Sequence, residues 1–129
     1  MSSLKPYAQH QSKIEVAVNV ELKTLHVQQD IIYHNASQDT LTEIVLNDWN
    51  NAFSDKNTPL ARRFSDEFYR GFHLANAEER GSTTILNLED AYNSGFEWER
   101  TEKNPDYIIV KLKQKLYPGE KIDLHLTYI

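Results

Sequence analysis

The side chains able to do chemistry are scattered along this chain. Five histidines, His10, His26, His34, His73 and His125, stand far apart. A hydrolytic zinc site on a helix takes two histidines four residues apart with a glutamate between them, so that both imidazoles face the metal and the carboxylate reaches a bound water. No pair here has that spacing. His26, His34 and His125 fall on the polar parity of alternating segments and are expected to be solvated, whereas His73 follows a helical stretch and is expected to pack or to contact a carbonyl. Carboxylates are plentiful, among them Glu43, Asp48, Asp66, Glu67, Glu78, Glu79, Glu97 and Glu99. Acid and base roles need a pair in one shielded cleft, so a solvated face is the expectation for these. There is no Gly-x-Ser-x-Gly elbow and no glycine-rich phosphate cradle among only four glycines. Cysteine is absent, which removes thiolate nucleophiles, disulfides and cysteine-ligated zinc together. The expectation is that this chain holds no catalytic, cofactor-binding or metal residues.

Three features carry a structural and a functional reading side by side. Trp49, in Asn47-Asp48-Trp49-Asn50-Asn51-Ala52-Phe53, could stack on a sugar, but a tryptophan closing an apolar strand is expected in the core, where it buries the most area. Asn35-Ala36-Ser37 fits the glycosylation pattern and equally an Asx turn, the reading preferred without a secretory leader. Lys111, Lys113 and Lys115 could dock an acidic partner, but lysines on one strand face more often keep a sheet soluble.

Composition bounds what these residues can belong to. A chain of 129 residues has room for one domain, and 40% apolar with 11% aromatic residues can bury a core without disulfides. The net charge of −5, from 19 acidic and 14 basic residues, lacks the basic excess that nucleic-acid binders present to phosphates. No run resembles a signal peptide or a membrane span. The compartment stays undetermined, the missing leader leaning towards the cytoplasm, and residues 1–12 are expected to be flexible.

Alternation dominates the element pattern. Ile14, Val16, Val18, Val20 and Leu22 occupy even positions, the period of a half-buried strand. After a turn at Lys23-Thr24, the odd positions Leu25, Val27, Ile31 and Tyr33 predict a hairpin partner ending at Asn35-Ala36-Ser37, and Leu41 to Trp49 predicts a third strand. Asn57-Thr58-Pro59 then supplies a cap and an early proline, and Leu60, Phe64, Phe68 and Phe72 recur every four residues. This spacing predicts one amphipathic helix over about 58–70, ended by Gly71 and supported by the pairs Arg62–Asp66, Arg63–Glu67 and Asp66–Arg70. Short strands follow near Thr83–Leu88 and Phe96–Trp98, separated by Asn93-Ser94-Gly95. From Tyr107 to Leu116 the residues Ile108, Val110, Leu112 and Leu116 share a face opposite the lysines. Pro118-Gly119 fits a type II turn, and Ile122, Leu124, Leu126 and Tyr128 alternate in a closing strand that is expected to continue into a longer protein. The fold expected is all-β: an open saddle-like sheet or sandwich of about seven or eight mainly antiparallel strands with one inserted helix.

The order of these features resembles the N-terminal domain of the M1-family zinc metallopeptidases, the aminopeptidase N and leukotriene A4 hydrolase group. The likeness lies in the hairpin opening at Ile14–Leu22, in Ile32-Tyr33-His34-Asn35-Ala36-Ser37, and in Leu41 to Phe53 with its Trp and Asn-Ala-Phe. The hairpin built on Val110-Lys111-Leu112, Leu116-Tyr117-Pro118-Gly119-Glu120 and Ile122–Tyr128 completes it. The helix near Asn57–Arg70 is similar to that of a bacterial subgroup. The family's His-Glu-x-x-His helix, distant Glu ligand and Gly-x-Met-Glu-Asn segment have no counterpart here. The resemblance therefore implies a single non-catalytic N-terminal β domain over 1–129, not an enzyme alone. It would pack against the catalytic zinc domain of its own chain and border the cleft for a peptide substrate, with zinc held elsewhere in a parent aminopeptidase. The alternative is a free-standing β-sandwich that binds carbohydrate or protein through Trp49, Trp98 or nearby tyrosines.

Overall fold

The structure is a computed structural model that describes residues 10–77 and 79–129. The fold is all-β, with seven strands in two open sheets among the described residues. In chain order the strands are β1 (Gln11–Asn19), β2 (Thr24–His34), β3 (Leu41–Asn47), β4 (Ile85–Glu89), β5 (Glu97–Thr101), β6 (Asn104–Leu116) and β7 (Lys121–Tyr128). A 3-10 helix over Trp49–Phe53, α1 (Pro59–Asp66) and α2 (Gly71–Leu74) lie between β3 and β4. No described helix is long and apolar enough to cross a membrane. Of the segment 1–12, expected to be flexible, residues 1–9 fall outside the described residues, and Gln11 and Ser12 pair with Ile32 and Ile31 as the first rungs of β1.

The chain divides into two compact units. The first holds the segment up to Thr42, Ile85–Phe96 and Leu112–Ile129, and carries the antiparallel sheet ordered β1-β2-β7-β4. Its alternation follows the expected parity: Leu124 is fully buried, and Val27, Leu88, Phe96, Leu116 and Leu126 are nearly so. Gly119, at φ +82°, fills the left-handed position of the β6–β7 turn, where Glu120 N–H donates to the Tyr117 carbonyl at 3.0 Å. Asn35, 1% exposed, ties this turn to the end of β2. Its amide Nδ2 donates to the carbonyls of Asp39 (2.8 Å) and Leu116 (3.0 Å), and its Oδ1 accepts from the N–H and hydroxyl of Ser37 at 3.1 and 2.6 Å. Its main chain exchanges bonds with Glu120 and Gly119 at 2.9 and 2.8 Å. The Asx turn is present, and Nδ2 is committed to two carbonyls in a buried setting.

The expectation fails on β1. Ile14, Val16 and Val18 are 54%, 50% and 66% exposed, and Val20 and Leu22 lie in the hairpin turn rather than in the strand. β1 is the outer strand of the sheet, so Ile14 and Val16 have a neighbouring strand on one side only, and β7 ends at Tyr128, opposite Val27, so the pairs Ala17–His26, Val18–Leu25 and Asn19–Thr24 form a ribbon with no third strand beside it. Alternation reported which face is apolar, not whether anything covers it.

The second unit holds Glu43–Thr84 and Glu97–Lys111, with the sheet order β3-β6-β5. Ile44, Ala52, Ala61, Phe72, Ile108 and Val110 form its buried apolar set. Thr58 caps α1 as the sequence predicts: its hydroxyl accepts from Ala61 N–H at 3.2 Å and donates to the Ala52 carbonyl at 2.7 Å. The single helix over about 58–70 is instead two short helices. At Phe68 the backbone turns left-handed, φ +58°, with Tyr69 N–H bonded to the Phe64 carbonyl (2.7 Å) and Phe68 N–H to that of Ser65 (3.0 Å). This is a Schellman cap with phenylalanine in the position glycine usually holds. Phe68 is thereby turned out of the expected stripe and is 88% exposed, while Phe72 packs against Phe53 and Phe64 at ring separations of 6.1 and 5.6 Å. Gly71 starts α2 rather than ending the first helix. Of the three expected ion pairs only Arg63–Glu67 forms, at 3.0 Å. Because a left-handed L-residue costs roughly 1–2 kcal/mol and the exposed ring gives up no packing, Phe68→Gly should raise stability by about 0.5–1 kcal/mol after the greater freedom of glycine in the unfolded chain is subtracted. Urea unfolding checks this, and an unchanged or lower midpoint contradicts it.

Candidate functional site

Trp49, two residues beyond the end of β3, sits on a clamped turn. Asp48 leaves β3 with its main-chain N–H on the Asp106 carbonyl at 2.6 Å. Its carboxylate takes the Thr83 hydroxyl at 2.8 Å and the Arg100 guanidinium at 2.7 Å, with side chains only 13% and 19% exposed for Asp48 and Arg100. Arg100 also donates to the Pro105 carbonyl at 2.6 Å. Asn51, buried, adds a bond from Nδ2 to the same carbonyl at 2.8 Å and accepts from Thr83 N–H at 3.2 Å. The side chains of the turn that point inward are thus satisfied by β5, β6 and the segment around Thr83. Trp49 points the other way and is 63% exposed, so its expected place in the core is corrected. Trp49 has the odd parity of the exposed Val45 and Asn47 rather than the even parity that Ile44 and Leu46 follow, and the 3-10 turn that begins at it keeps the indole on the outside. Asp48, expected on a solvated face, is the less exposed partner of a part-buried ion pair.

Beside Trp49 lies a shallow recess of about 220 Å³, lined by Ala52, Pro59, Leu60 and Pro105 with Arg63 and Asp106 at its polar edge. An indole face, an apolar floor and one group of each charge suit a ligand that stacks on one side and offers hydroxyls or amides on the other.

The first unit presents a different surface. On one face of the β1–β2 hairpin, Ile14, Val16, Val18 and Leu25 are each at least half exposed and adjacent through the pairs Val16–Val27 and Val18–Leu25. Contiguous exposed apolar side chains of this kind mark a surface that binds something.

No family model, curated protein or solved structure matches this chain.

The remaining expected residues fall as follows. His73 Nε2 contacts the Ala61 carbonyl at 2.9 Å, the role anticipated for it. His26 is exposed as expected. His34, expected to be solvated, is half-buried, and its buried Nδ1 finds no partner among the described residues. His125 is 41% exposed and paired, its Nδ1 lying 2.5 Å from the Asp30 carboxylate. His10 stacks on Tyr33 at 4.3 Å and accepts from His34 N–H at 3.2 Å. Glu43, Asp66, Glu67, Glu79, Glu97 and Glu99 are exposed, and Glu78 lies outside the described residues. Among the described residues no three His, Cys, Asp or Glu side chains gather to hold a metal. Trp98 is 37% exposed.

In the lysine row Lys111 makes a loose pair with Glu99 at 3.8 Å, and Lys113 is the one held most closely. Its ammonium donates to Asp90 at 2.8 Å and to the Ser94 carbonyl at 2.9 Å, and sits 4.7 Å above the ring of Phe96. Asp90 also accepts from the N–H groups of Tyr92 and Ser94 at 2.8 and 3.0 Å, so Lys113 first and the turn amides after it hold its pKa down at about 2. A depressed carboxyl pKa stabilises the fold above the ordinary value of 3.8, and that stabilisation is lost as pH falls from there through about 2. A carboxyl-carbon NMR titration should therefore place the Asp90 midpoint near 2, and Lys113→Met should move it back towards 3.8. A wild-type midpoint at the ordinary value would show that the turn does not hold the ion pair in solution.

Proposed function

We propose that this chain is a non-catalytic docking domain, the N-terminal β domain of an M1-like zinc aminopeptidase, whose apolar β1–β2 hairpin face seats against the catalytic zinc domain of the same protein. The observation that carries the reading is the hairpin itself: an apolar face formed by Ile14, Val16, Val18 and Leu25, each at least half exposed, on a hairpin paired in unbroken register. The likeness of the strand-Trp-Asn-Ala-Phe passage and the Pro-Gly-Glu hairpin to that family's first domain supports the choice of partner. In this reading zinc and the water it activates belong to the neighbouring domain, and the domain described here borders the peptide cleft without donating a catalytic side chain. The test is the coding sequence beyond Ile129. A His-Glu-x-x-His segment within about two further domain lengths is expected, and a stop codon directly after Ile129 overturns the proposal. Hydrogen exchange on the whole protein adds a physical readout, since the β1–β2 amides should be better protected there than in the 129-residue chain.

One observation favours a second reading. Trp49, exposed above its recess on a turn held by Asp48 and Asn51, has the form of a stacking platform, which suits a module that binds carbohydrate or a protein segment. Titration with soluble oligosaccharides, followed by indole fluorescence, distinguishes the two: a saturable change that Trp49→Ala abolishes supports the binding module, and no change removes it.

A further inference from the structure

The two outer strands of the first unit's sheet differ in how they end. At one side β4 is five residues long and its register shifts between Ile85 and Asn87, the irregularity that discourages another strand from adding on. At the other side β1 runs nine residues in unbroken register with β2, contains no proline, and has no neighbour on its outer edge among the described residues. Lysines often guard such edges. Here Lys13 is neutralised by Glu15 on the same face, 3.3 Å away, with side chains 74% and 64% exposed.

The order of residues 12–16, Ser-Lys-Ile-Glu-Val, is self-complementary when the strand meets a copy of itself head to tail. An antiparallel pairing with its two-fold axis at Ile14 sets Lys13 of each copy opposite Glu15 of the other and Ile14 opposite Ile14. An axis at Lys13 or at Glu15 would place like charges face to face. An axis at Val16 would leave Lys13 opposite Asn19 and Glu15 opposite Ala17. Only the Ile14 register combines opposite-charge pairs on the polar face with apolar contact on the other. We infer that β1 is a homodimerisation edge, pairing antiparallel with β1 of a second copy about Ile14 to extend the four-stranded sheet into eight strands. The inference goes beyond the docking reading, because it uses the backbone edge of β1, with Ile14 the one residue of the hairpin's apolar face at the axis, and its test does not involve a catalytic domain.

Sedimentation velocity of the 129-residue chain between about 1 μM and 1 mM should show a monomer–dimer equilibrium. Lys13→Glu and Glu15→Lys should each weaken it about tenfold, since each makes two like-charge pairs across the axis. The two changes alter the net charge of −5 in opposite directions, so a general charge effect would move the equilibrium in opposite senses. The double reversal Lys13→Glu/Glu15→Lys should restore association. Both side chains are exposed, so circular dichroism should report an unchanged fold in every variant. A monomer throughout the range overturns the inference. So does a double variant no tighter than the singles, or singles that shift in opposite directions.

Discussion

Replacing Asn35 with aspartate is expected to be the most damaging single-atom change in this protein, costing about 3–5 kcal/mol at neutral pH. The new oxygen would stand where Nδ2 now donates to the Asp39 and Leu116 carbonyls, so two donor–acceptor pairs become acceptor–acceptor contacts at a residue 1% exposed. Ionisation there is opposed by burial and by both carbonyls, and the folded pKa of the introduced carboxyl must rise. A raised carboxyl pKa costs nothing below the unfolded value of about 3.9 and an increasing amount as pH climbs above it. The stability difference from wild type should therefore be larger at pH 7 than at pH 4 in paired urea titrations. Asn35→Ala, which orphans the same groups without adding charge, should cost about 2–4 kcal/mol with little pH dependence. A similar small loss for both variants at both pH values would show that the hub is dispensable.

Breaking the Asp48–Arg100 pair is the second large effect. With both side chains under one-fifth exposed, removing either leaves an under-compensated charge beside carbonyls and a hydroxyl that it used to bond. Fully buried pairs lose about 3–5 kcal/mol on such a cut, and the residual solvent here lowers the expectation to about 2–3 kcal/mol for Asp48→Ala or Arg100→Met. The double variant should lose at least about 1 kcal/mol less than the sum of the singles, because the second substitution removes the charge stranded by the first. Strict additivity would mean that the pair carries no coupling. The same variants bear on Trp49, whose turn begins at the Asp48 cap, so their indole emission should shift as the platform loosens.

How much of this was legible beforehand follows the range of each interaction. The Pro118-Gly119 turn, the Thr58 cap and the buried face of Ile108, Val110 and Leu116 depend on neighbours in sequence, and each is found as read. The Asx turn at Asn35 was legible too, but its bond to Leu116, 81 residues away, was not. Asp48 and Arg100 stand 52 residues apart with no spacing to announce them, so Asp48 read as one more solvated acid. Lys113 read as part of a solubilising row for the same reason, since Asp90 reaches it only across the strands.

Where sequence reading went astray, the local pattern was correct and its surroundings were not. Phe68 keeps the four-residue spacing of an amphipathic helix, yet the chain turns left-handed at that residue and Gly71 opens a new turn. Ile14, Val16 and Val18 alternate as core residues do, but they stand on an outer strand, and β7 stops opposite Val27 so that the end of the hairpin has no third strand. Trp49 has a core residue's chemistry on a turn that faces it outward. Alternation, caps and turn residues were enough to establish an all-β chain and most strand boundaries, because backbone geometry and side-chain parity are set within a few residues. Which apolar faces stay open, and which charges are buried against each other, depended on strand lengths and pairings between distant segments. Those are the features that made the hairpin and the Trp49 turn candidate surfaces.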